Sequence, residues 1–142
     1  MQRSRREQRS RLRDMSEPLV PDEYIPPKGG EEITYPVSLD EHHSLTVRQL
    51  HYRKMVVDFA IMQHYHLYDE HPPEDVHRTD CCHGELHHHQ FFRNGTTEDR
   101  RVVLRIPVEN GWETVDRLFV ECNDLAVNEY MDRLARWKGT QC

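Results

Sequence analysis

The sequence predicts an α+β fold, with an antiparallel sheet of four to five strands packed against one long C-terminal helix. Apolar and polar residues alternate through much of the region 31–106, which is the period of half-buried strands. Asn94 and Gly95 form a dipeptide typical of hairpin turns, because both residues tolerate positive φ. After Asn110 the apolar residues recur at helical spacing instead. Several strands followed by a helix are typical of an α+β domain.

The strand pattern recurs in several short segments. The expected strands cover residues 33–39, 55–68, 76–82, 85–93 and 96–106. Pro36 confines the first of them to a sheet edge, because proline cannot donate a hydrogen bond to a neighbouring strand. Residues 40–54 suit either a short strand or a helical turn, and 69–75, with two prolines, should form a loop. A helix of about 25 residues should begin at Asn110 and end at Gly139.

The length of 142 residues favours one domain. Hydrophobic residues make up only 36% of the chain and charged residues 31%, so the core should be small and part of the chain solvated. No apolar run reaches the length of a membrane span or of a signal-peptide core, and the four cysteines show no disulfide framework. We therefore expect a soluble cytoplasmic protein with reduced thiols and no membrane partner.

The chain divides into three segments, which are a basic flexible arm at 1–15, a Pro- and Gly-rich linker at 16–30 and a single α+β domain at 31–142. The arm contains almost no apolar residue, and its six arginines are Arg3, Arg5, Arg6, Arg9, Arg11 and Arg13. Arginine neutralises phosphates, which predicts a contact with nucleic acid or with an acidic protein. A solvated tail is the alternative.

The densest chemistry lies between Arg78 and Phe92 in a chain that contains 11 histidines. His87 and His89 are two residues apart on an expected strand, so their side chains should leave the same face of the sheet. Histidine and carboxylate side chains together can hold a divalent metal ion and leave a position open for water or substrate. The predicted ligands are Asp80, His83, His87 and His89, with Zn²⁺ or Mn²⁺ as the ion.

The same histidines also fit two interpretations without a metal. A pair of imidazoles can act as general base and general acid on a phosphodiester, with Arg78 or Arg100 stabilising the phosphate charge. Alternatively, His87 and His89 only hydrogen-bond to their neighbours beside the core. The second H-x-H pair of the chain, His64 and His66, should point away from the core.

Counting outward from Asn94-Gly95 as a two-residue loop pairs His89 with Arg100 and His87 with Val102. On this count His87, His89 and Phe91 share the more apolar face of the hairpin with Val102, Leu104 and Ile106. His88 should therefore lie on the opposite face.

The pattern R-x-D-x-x-H-G-x-x-H-x-H is formed by Arg78, Asp80, His83, Gly84, His87 and His89. It resembles the signature of small uncharacterised prokaryotic and phage α+β proteins, some of which are toxin-like members of toxin-antitoxin modules. The resemblance spans residues 55–138. It implies a strand that carries R-x-D, a short His motif, a hairpin and a C-terminal helix. It also implies a cytoplasmic location, in a prokaryotic host or a phage-infected cell.

The leading functional hypothesis is a small prokaryotic or phage-associated protein that binds nucleic acid, or cleaves it as a histidine- or metal-dependent nuclease. The predicted catalytic residues are Arg78, Asp80, His83, His87 and His89. The alternative is a non-enzymatic interaction protein, or a phage accessory or assembly protein, with a structural histidine cluster. A zinc-stabilised fold without catalysis is a third possibility. Convergence of the imidazoles around a solvent-reachable point would favour the catalytic site.

Overall fold

The computed structural model describes residues 23–67, 71–95 and 98–139. The basic arm expected at 1–15, with its arginines, lies outside the described residues, as does the first part of the expected linker. The described elements are β1 (Glu31–Asp40), β2 (His43–Tyr52), β3 (Met55–Tyr65), β4 (Glu74–Cys82), β5 (Glu85–Gln90), β6 (Asp99–Arg105), α1 (Gly111–Asn128) and α2 (Tyr130–Lys138).

The strands form one antiparallel sheet in the order β1-β2-β3-β4-β5-β6, so each strand pairs with its neighbours in the sequence. The α+β class is therefore confirmed, whereas the expected strand number was too low. The additional strand is β2, which occupies the ambiguous segment 40–54. Every second residue of β2 is buried, including Leu45 and Val47, and this packing decides in favour of a strand. Pro36 lies on the edge strand β1, as predicted.

The two sides of the sheet differ. The side packed by α1 and α2 is called the helix face; there Phe59 and Ile61 pack with Val115 and Leu118 of α1 in the main core. The other side is called the open face, because both helices lie across the sheet from it. Side chains of one strand alternate between the two faces, and residues paired across strands share a face.

The predicted single helix is interrupted at Glu129, whose ψ of 16° lies outside the α-helical region. The carbonyl of Tyr130 accepts a hydrogen bond from Nε2 of Gln63 at 2.9 Å. After the break, α2 places Leu134 and Trp137 against Val76 of β4, where they form a second small core. The interruption follows from these contacts with the sheet, and the helical spacing of apolar residues continues across it.

The ends of the helical region are where the sequence places them. Gly139 ends α2 with a φ of 85°, and its N–H donates to the carbonyl of Arg136 at 3.0 Å. Asn110 precedes α1, but it has a φ of 58° and its side chain makes no capping hydrogen bond. The start of the helix was therefore predicted correctly, although the side chain of Asn110 does not cap it.

Tyr24 belongs to the core although it lies in the segment expected to be a linker. Its side chain is buried, and its hydroxyl donates to the carbonyl of Val57 at 2.8 Å. The ring packs against Gly111, where a Cβ atom would lie 2.3 Å from Cδ1 of Tyr24. The folded unit therefore begins before Glu31.

Candidate metal centre

The hairpin of β4 and β5 brings the candidate residues together. His83 and Gly84 are its two turn residues, with φ values of 53° and 75°, which is the conformation of a tight type I′ turn. Because His83 occupies this turn, its side chain is exposed. The pairing register places Asp80 opposite His87 and Arg78 opposite His89.

Asp80, His87 and His89 converge on one point of the open face. Oδ1 of Asp80 lies 3.9 Å from Nδ1 of His87 and 3.5 Å from Nε2 of His89. Ligand atoms of these three residues lie within 4.8 Å of one another. Zinc bonds of 2.0 to 2.2 Å in a tetrahedron would separate neighbouring ligand atoms by roughly 3.3 Å. The three residues could therefore hold one metal ion after small shifts of the side chains.

The carboxylate oxygen at the centre of this group has no ordinary partner. Oδ1 of Asp80 is buried and accepts no hydrogen bond from any residue in the described ranges. Oδ2 of the same carboxylate lies 3.0 Å from Nε of Arg78, with which it forms an ion pair. A buried oxygen without a partner is costly in free energy, and a cation at this point would remove that cost.

Both imidazoles have a second carboxylate on the ring nitrogen that faces away from Asp80. Nε2 of His87 lies 3.0 Å from Oε1 of Glu85, and Nδ1 of His89 hydrogen-bonds to the carboxylate of Glu98. A carboxylate that accepts the distal N–H directs the lone pair of the other ring nitrogen towards the site, where a metal can bind. At His89 this nitrogen, Nε2, now lies 3.4 Å from Nη2 of Arg78, which a metal ion would have to displace. This arrangement of carboxylate, histidine and metal is common among zinc ligands.

Arg100 also contacts His87. It disfavours a proton on Nε2 of the imidazole, whereas Glu85 favours one there. Nη2 of Arg100 lies 2.8 Å from the same Nε2 atom. A guanidinium group can only donate, so this contact favours an unprotonated Nε2 and places the proton of a neutral imidazole on Nδ1. A metal bound at Nδ1 of His87 would instead require the proton on Nε2, from which it would be donated to Glu85.

The open face near the site carries further charges. Asp58 of β3 forms an ion pair with Arg48 at 2.9 Å. Burial raises the pKa of Asp58 above its usual value, Arg48 opposes the increase, and the charge of Asp80 adds to it. Arg48 therefore supplies the positive charge beside Asp58.

The face of the sheet predicted for His87 and His89 was wrong, whereas the residues predicted to pair with them in β6 were right. His89 pairs with Arg100 and His87 with Val102, as counted from the sequence. A β-bulge follows, because Leu86 pairs with Leu104 and leaves Val103 as an extra residue. Leu104 consequently turns to the helix face and packs against the core. The two histidines therefore lie on the open face and are not covered by the helices, although both are buried, at 1% and 6% exposure.

The turn that was used for this count also differs from the expected one. β5 ends at Gln90 and β6 begins at Asp99, so the connection is longer than two residues. Gly95 has a φ of 77°, whereas Asn94 is not among the residues with positive φ. The two-residue type I′ turn at this position was therefore wrong.

The remaining predicted residues are distributed as follows. His64 and His66 point away from the core, as predicted, and hydrogen-bond to Thr46 at 2.8 Å and Ser44 at 2.9 Å respectively. They share the open face with the candidate site but are not part of it. His83 was predicted as a ligand, and the group of converging ligand atoms does not include it.

Glu85, Glu98 and Asp58 were missed by the sequence reasoning. Glu85 is two residues before His87 on the same strand, so the period of two already placed it on the same face. Glu98 is the partner of Phe91 in the counted hairpin and could have been found from the same count. The position of Asp58 depends on the pairing of β3 with β4, for which the sequence offered no register.

His77 and His88 lie on the helix face, where His77 of β4 is buried and His88 of β5 is half-buried. Their ring centroids are 5.2 Å apart. Burial, together with the charge of Arg133, lowers the pKa of His77 to about 2 and that of His88 to about 4. Both imidazoles are therefore neutral at physiological pH.

This burial predicts a loss of stability in mild acid. Below the usual imidazole pKa of about 6.5, the unfolded chain binds a proton at position 77, whereas the folded chain does not. The free energy of unfolding should therefore fall as the pH decreases, by roughly 2 kcal/mol at pH 5 for His77 alone. Urea denaturation at several pH values measures this effect. His77→Gln should show a shallower decline than the wild type.

His83→Asn is the matched control for this measurement, because His83 is exposed and asparagine tolerates its positive φ. Its pH dependence should equal that of the wild type. An unchanged slope in His77→Gln would contradict the burial of a neutral imidazole at this position.

The cysteines agree with the expectation of free thiols. Cys81, Cys82 and Cys122 form no disulfide in the part of the chain described by the structure. Burial raises the pKa of the Cys81 thiol, and it raises that of Cys122 to about 11. Neither thiol is therefore a good nucleophile or metal ligand at neutral pH.

Comparisons with known proteins found no matching protein-family model, no similar curated protein and no similar solved structure. Within the described ranges, neither helix combines the length and apolar character needed to cross a membrane. The geometry of the open face is therefore the basis for the functional proposal.

Proposed function

We propose that this protein binds a divalent metal ion, preferably Zn²⁺, through Asp80, His87 and His89, and uses it to hydrolyse phosphodiester bonds in nucleic acid. The observation that carries the proposal is the unpaired Oδ1 atom of Asp80, which faces one nitrogen of each imidazole while the other nitrogens contact Glu85 and Glu98. Arg78 and Arg100 already bring positive charge to this group, and a metal ion at Oδ1 would supply the partner that this buried oxygen lacks.

Three protein ligands leave one coordination position open, which is the pattern of catalytic zinc sites. A zinc ion lowers the pKa of a bound water to about 7 and so supplies a nucleophile at neutral pH. Arg78 and Arg100 lie beside the ligands, where their positive charge would stabilise the phosphate oxygens in the transition state. These two arginines favour a phosphate ester as the substrate.

The identity of the substrate rests on the sequence of the arm. Six arginines in residues 1–15 would contact the phosphates of an extended nucleic acid. The body of the protein is acidic, since the net charge of the whole chain is -6 despite this arm. We therefore propose that the arm supplies most of the affinity and that the metal centre supplies the chemistry. A relation to toxin-like proteins of prokaryotes and phages is part of this proposal and rests on the motif from Arg78 to His89.

A non-catalytic metal site is the second candidate, and one observation favours it. His87 is only 1% exposed, which is typical of a structural ligand. In that case the ion would stabilise the fold, and the protein would act through binding alone, as an interaction or accessory protein. The two candidates share the same ligands and differ in activity, so one experiment separates them.

The test combines metal analysis, thermal denaturation and a nuclease assay on the purified full chain. The wild type should contain about one equivalent of zinc or should bind it on addition. A chelator should lower its melting temperature, and the loaded protein should cleave single-stranded RNA or DNA. His89→Gln should lose both the ion and the cleavage. His83→Asn is the control and should keep both, because the exposed turn residue is outside the ligand group.

The possible outcomes separate the candidates. Metal binding that stabilises the fold without any cleavage would support the structural site and reject the nuclease. A wild type that neither contains nor binds a divalent ion, with a melting temperature unaffected by zinc, would falsify the metal centre. Cleavage by the metal-free protein that depends on His87 and His89 would instead support acid–base catalysis by the histidines.

A further inference from the structure

A second polar cluster lies on the helix face, on the side of the sheet opposite the metal centre. It lines a cavity of about 760 Å³, here called the Arg133 cleft, between α2 and strands β5 and β6. Its lining includes His77, His88, Gln90, Phe92, Leu125 and Arg133. Cavities of 300 to 1,000 Å³ typically hold small molecules. None of these residues belongs to the metal centre.

Arg133 is the central feature of the cleft. Its side chain projects from α2, and the residue is only 5% exposed. In the part of the chain that the structure describes, no carboxylate oxygen lies within 4.0 Å of its guanidinium. Among the acidic residues, Glu129 has the largest effect on the pKa of Arg133, but it forms no ion pair with the guanidinium. A guanidinium that lines a cleft and has no carboxylate partner is suited to bind an oxyanion.

Neighbouring groups add polar contacts but no countercharge. His88 uses Nδ1 to contact the hydroxyl of Thr79 at 2.9 Å, which leaves Nε2 to face other partners. The amide nitrogen of Gln90 donates to the carbonyls of Val76 and Arg133, while its Oε1 is buried and accepts no hydrogen bond from a described residue. An oxyanion could accept from Arg133, and a hydroxyl group of the same ligand could donate to Gln90.

The rim of the cleft indicates the size and type of ligand. Acidic and basic side chains alternate around it, since Asp99, Glu129 and Asp132 line it together with Arg101 and Arg136. This mixed charge differs from the uniformly basic surface that a long polyanion such as nucleic acid requires. Arg101 is already paired with Asp99 at 3.0 Å. Phe92 and Leu125 contribute apolar surface, which suits an organic body better than a bare inorganic ion. The combination favours a compact molecule with one anionic group.

We propose that the Arg133 cleft binds a small organic molecule through an oxyanion group, of the phosphate type, held by Arg133. The apolar part of the ligand packs against Phe92 and Leu125. The proposal does not depend on the metal centre or on nuclease activity, because the two sites lie on opposite faces of the sheet and share no residue.

The test uses the full chain and two probes, inorganic phosphate and adenosine monophosphate, in thermal shift and calorimetric titrations. His89→Gln serves as the background, so that phosphate bound to a metal ion does not contribute. Each probe should raise the melting temperature in a saturable manner, with the nucleotide binding more tightly than phosphate because it also covers the apolar surface. Arg133→Met on this background should weaken binding by at least about tenfold, since a hydrogen bond to a charged group contributes 1.5 to 3 kcal/mol.

Two further variants keep the test decisive. Arg117→Met is the matched control, because Arg117 lies on α1, is largely exposed and pairs with Glu121; its binding should equal that of the background. Arg136→Met changes an exposed arginine at the rim, and should weaken binding by a smaller factor if Arg133→Met fails to fold. The proposal would be overturned if neither probe showed saturable binding at millimolar concentration. It would also be overturned if Arg133→Met bound the probes as tightly as the background. Where Arg133→Met does not fold, the same comparison is made with Arg136→Met.

Discussion

Asp80→Asn should abolish cleavage of nucleic acid while leaving the fold intact. The amide has nearly the same shape as the carboxylate, but it lacks the charge that attracts a metal ion and that forms the ion pair with Arg78. We expect the affinity for Zn²⁺ to fall by more than about 100-fold, which corresponds to about 2.7 kcal/mol. Competition with a chromophoric chelator measures this affinity, and initial rates on single-stranded RNA and DNA measure the activity.

Glu98→Gln is the graded control for this prediction. Glu98 contacts the distal nitrogen of His89 and does not reach the proposed ion position, and such outer residues contribute about 10 to 100-fold to metal affinity. Its effect should therefore be smaller than that of Asp80→Asn. If Asp80→Asn retained stoichiometric metal and full activity, Asp80 would not be a ligand and the proposed centre would be incorrect.

The fold class was predictable from the sequence because it depends on local patterns. Three such patterns are the alternation around Val37, the spacing of the apolar residues in α1 and the glycine at position 139. Each of them depends on only a few neighbouring residues. The additional strand β2 and the break at Glu129 were not predictable in this way. Both are decided by contacts with segments distant in the sequence, such as the hydrogen bond from Gln63 to Tyr130.

The sequence predicted Asp80, His87 and His89 as members of the candidate site, but it also included His83, which lies outside the converging group, and it placed the two histidines of β5 on the wrong face of the sheet. The period of two was sufficient to pair His87 with His89, and the hairpin count gave the correct partners in β6. A single extra residue, Val103, then reversed the assignment of faces beyond it. Neither composition nor periodicity marks this bulge, so the difference between a site beneath the helices and one on the open face required the structure.

Phe59→Ala should destabilise the protein strongly. Phe59 lies in the middle of β3, is 0% exposed and contacts Phe119 of α1 edge to face at a ring distance of 5.4 Å. Removing such a ring typically costs 3 to 5 kcal/mol, because the cavity collapses only in part. Since small domains are stable by about 5 to 15 kcal/mol, the variant should unfold at a much lower urea concentration than the wild type.

Phe119→Ala is the comparison for this substitution. Its ring takes part in the same edge-to-face contact but is only half-buried, so the loss in free energy of unfolding should be clearly smaller. Urea denaturation followed by circular dichroism measures both. Equal losses in the two variants would contradict the placement of Phe59 at the centre of the core.

The position of Asp80, His87 and His89 within a single hairpin has a consequence for the order of assembly. All three lie between the start of β4 and the end of β5, so closing the chain around an ion involves only a short loop and a small loss of chain entropy. Unfolded chains with clustered histidines can already bind metals. During synthesis, this hairpin would leave the ribosome before α1 and α2, which provide the cover of the core. An ion could thus be captured by the nascent chain and fix the register of β4 and β5 before the rest of the domain exists.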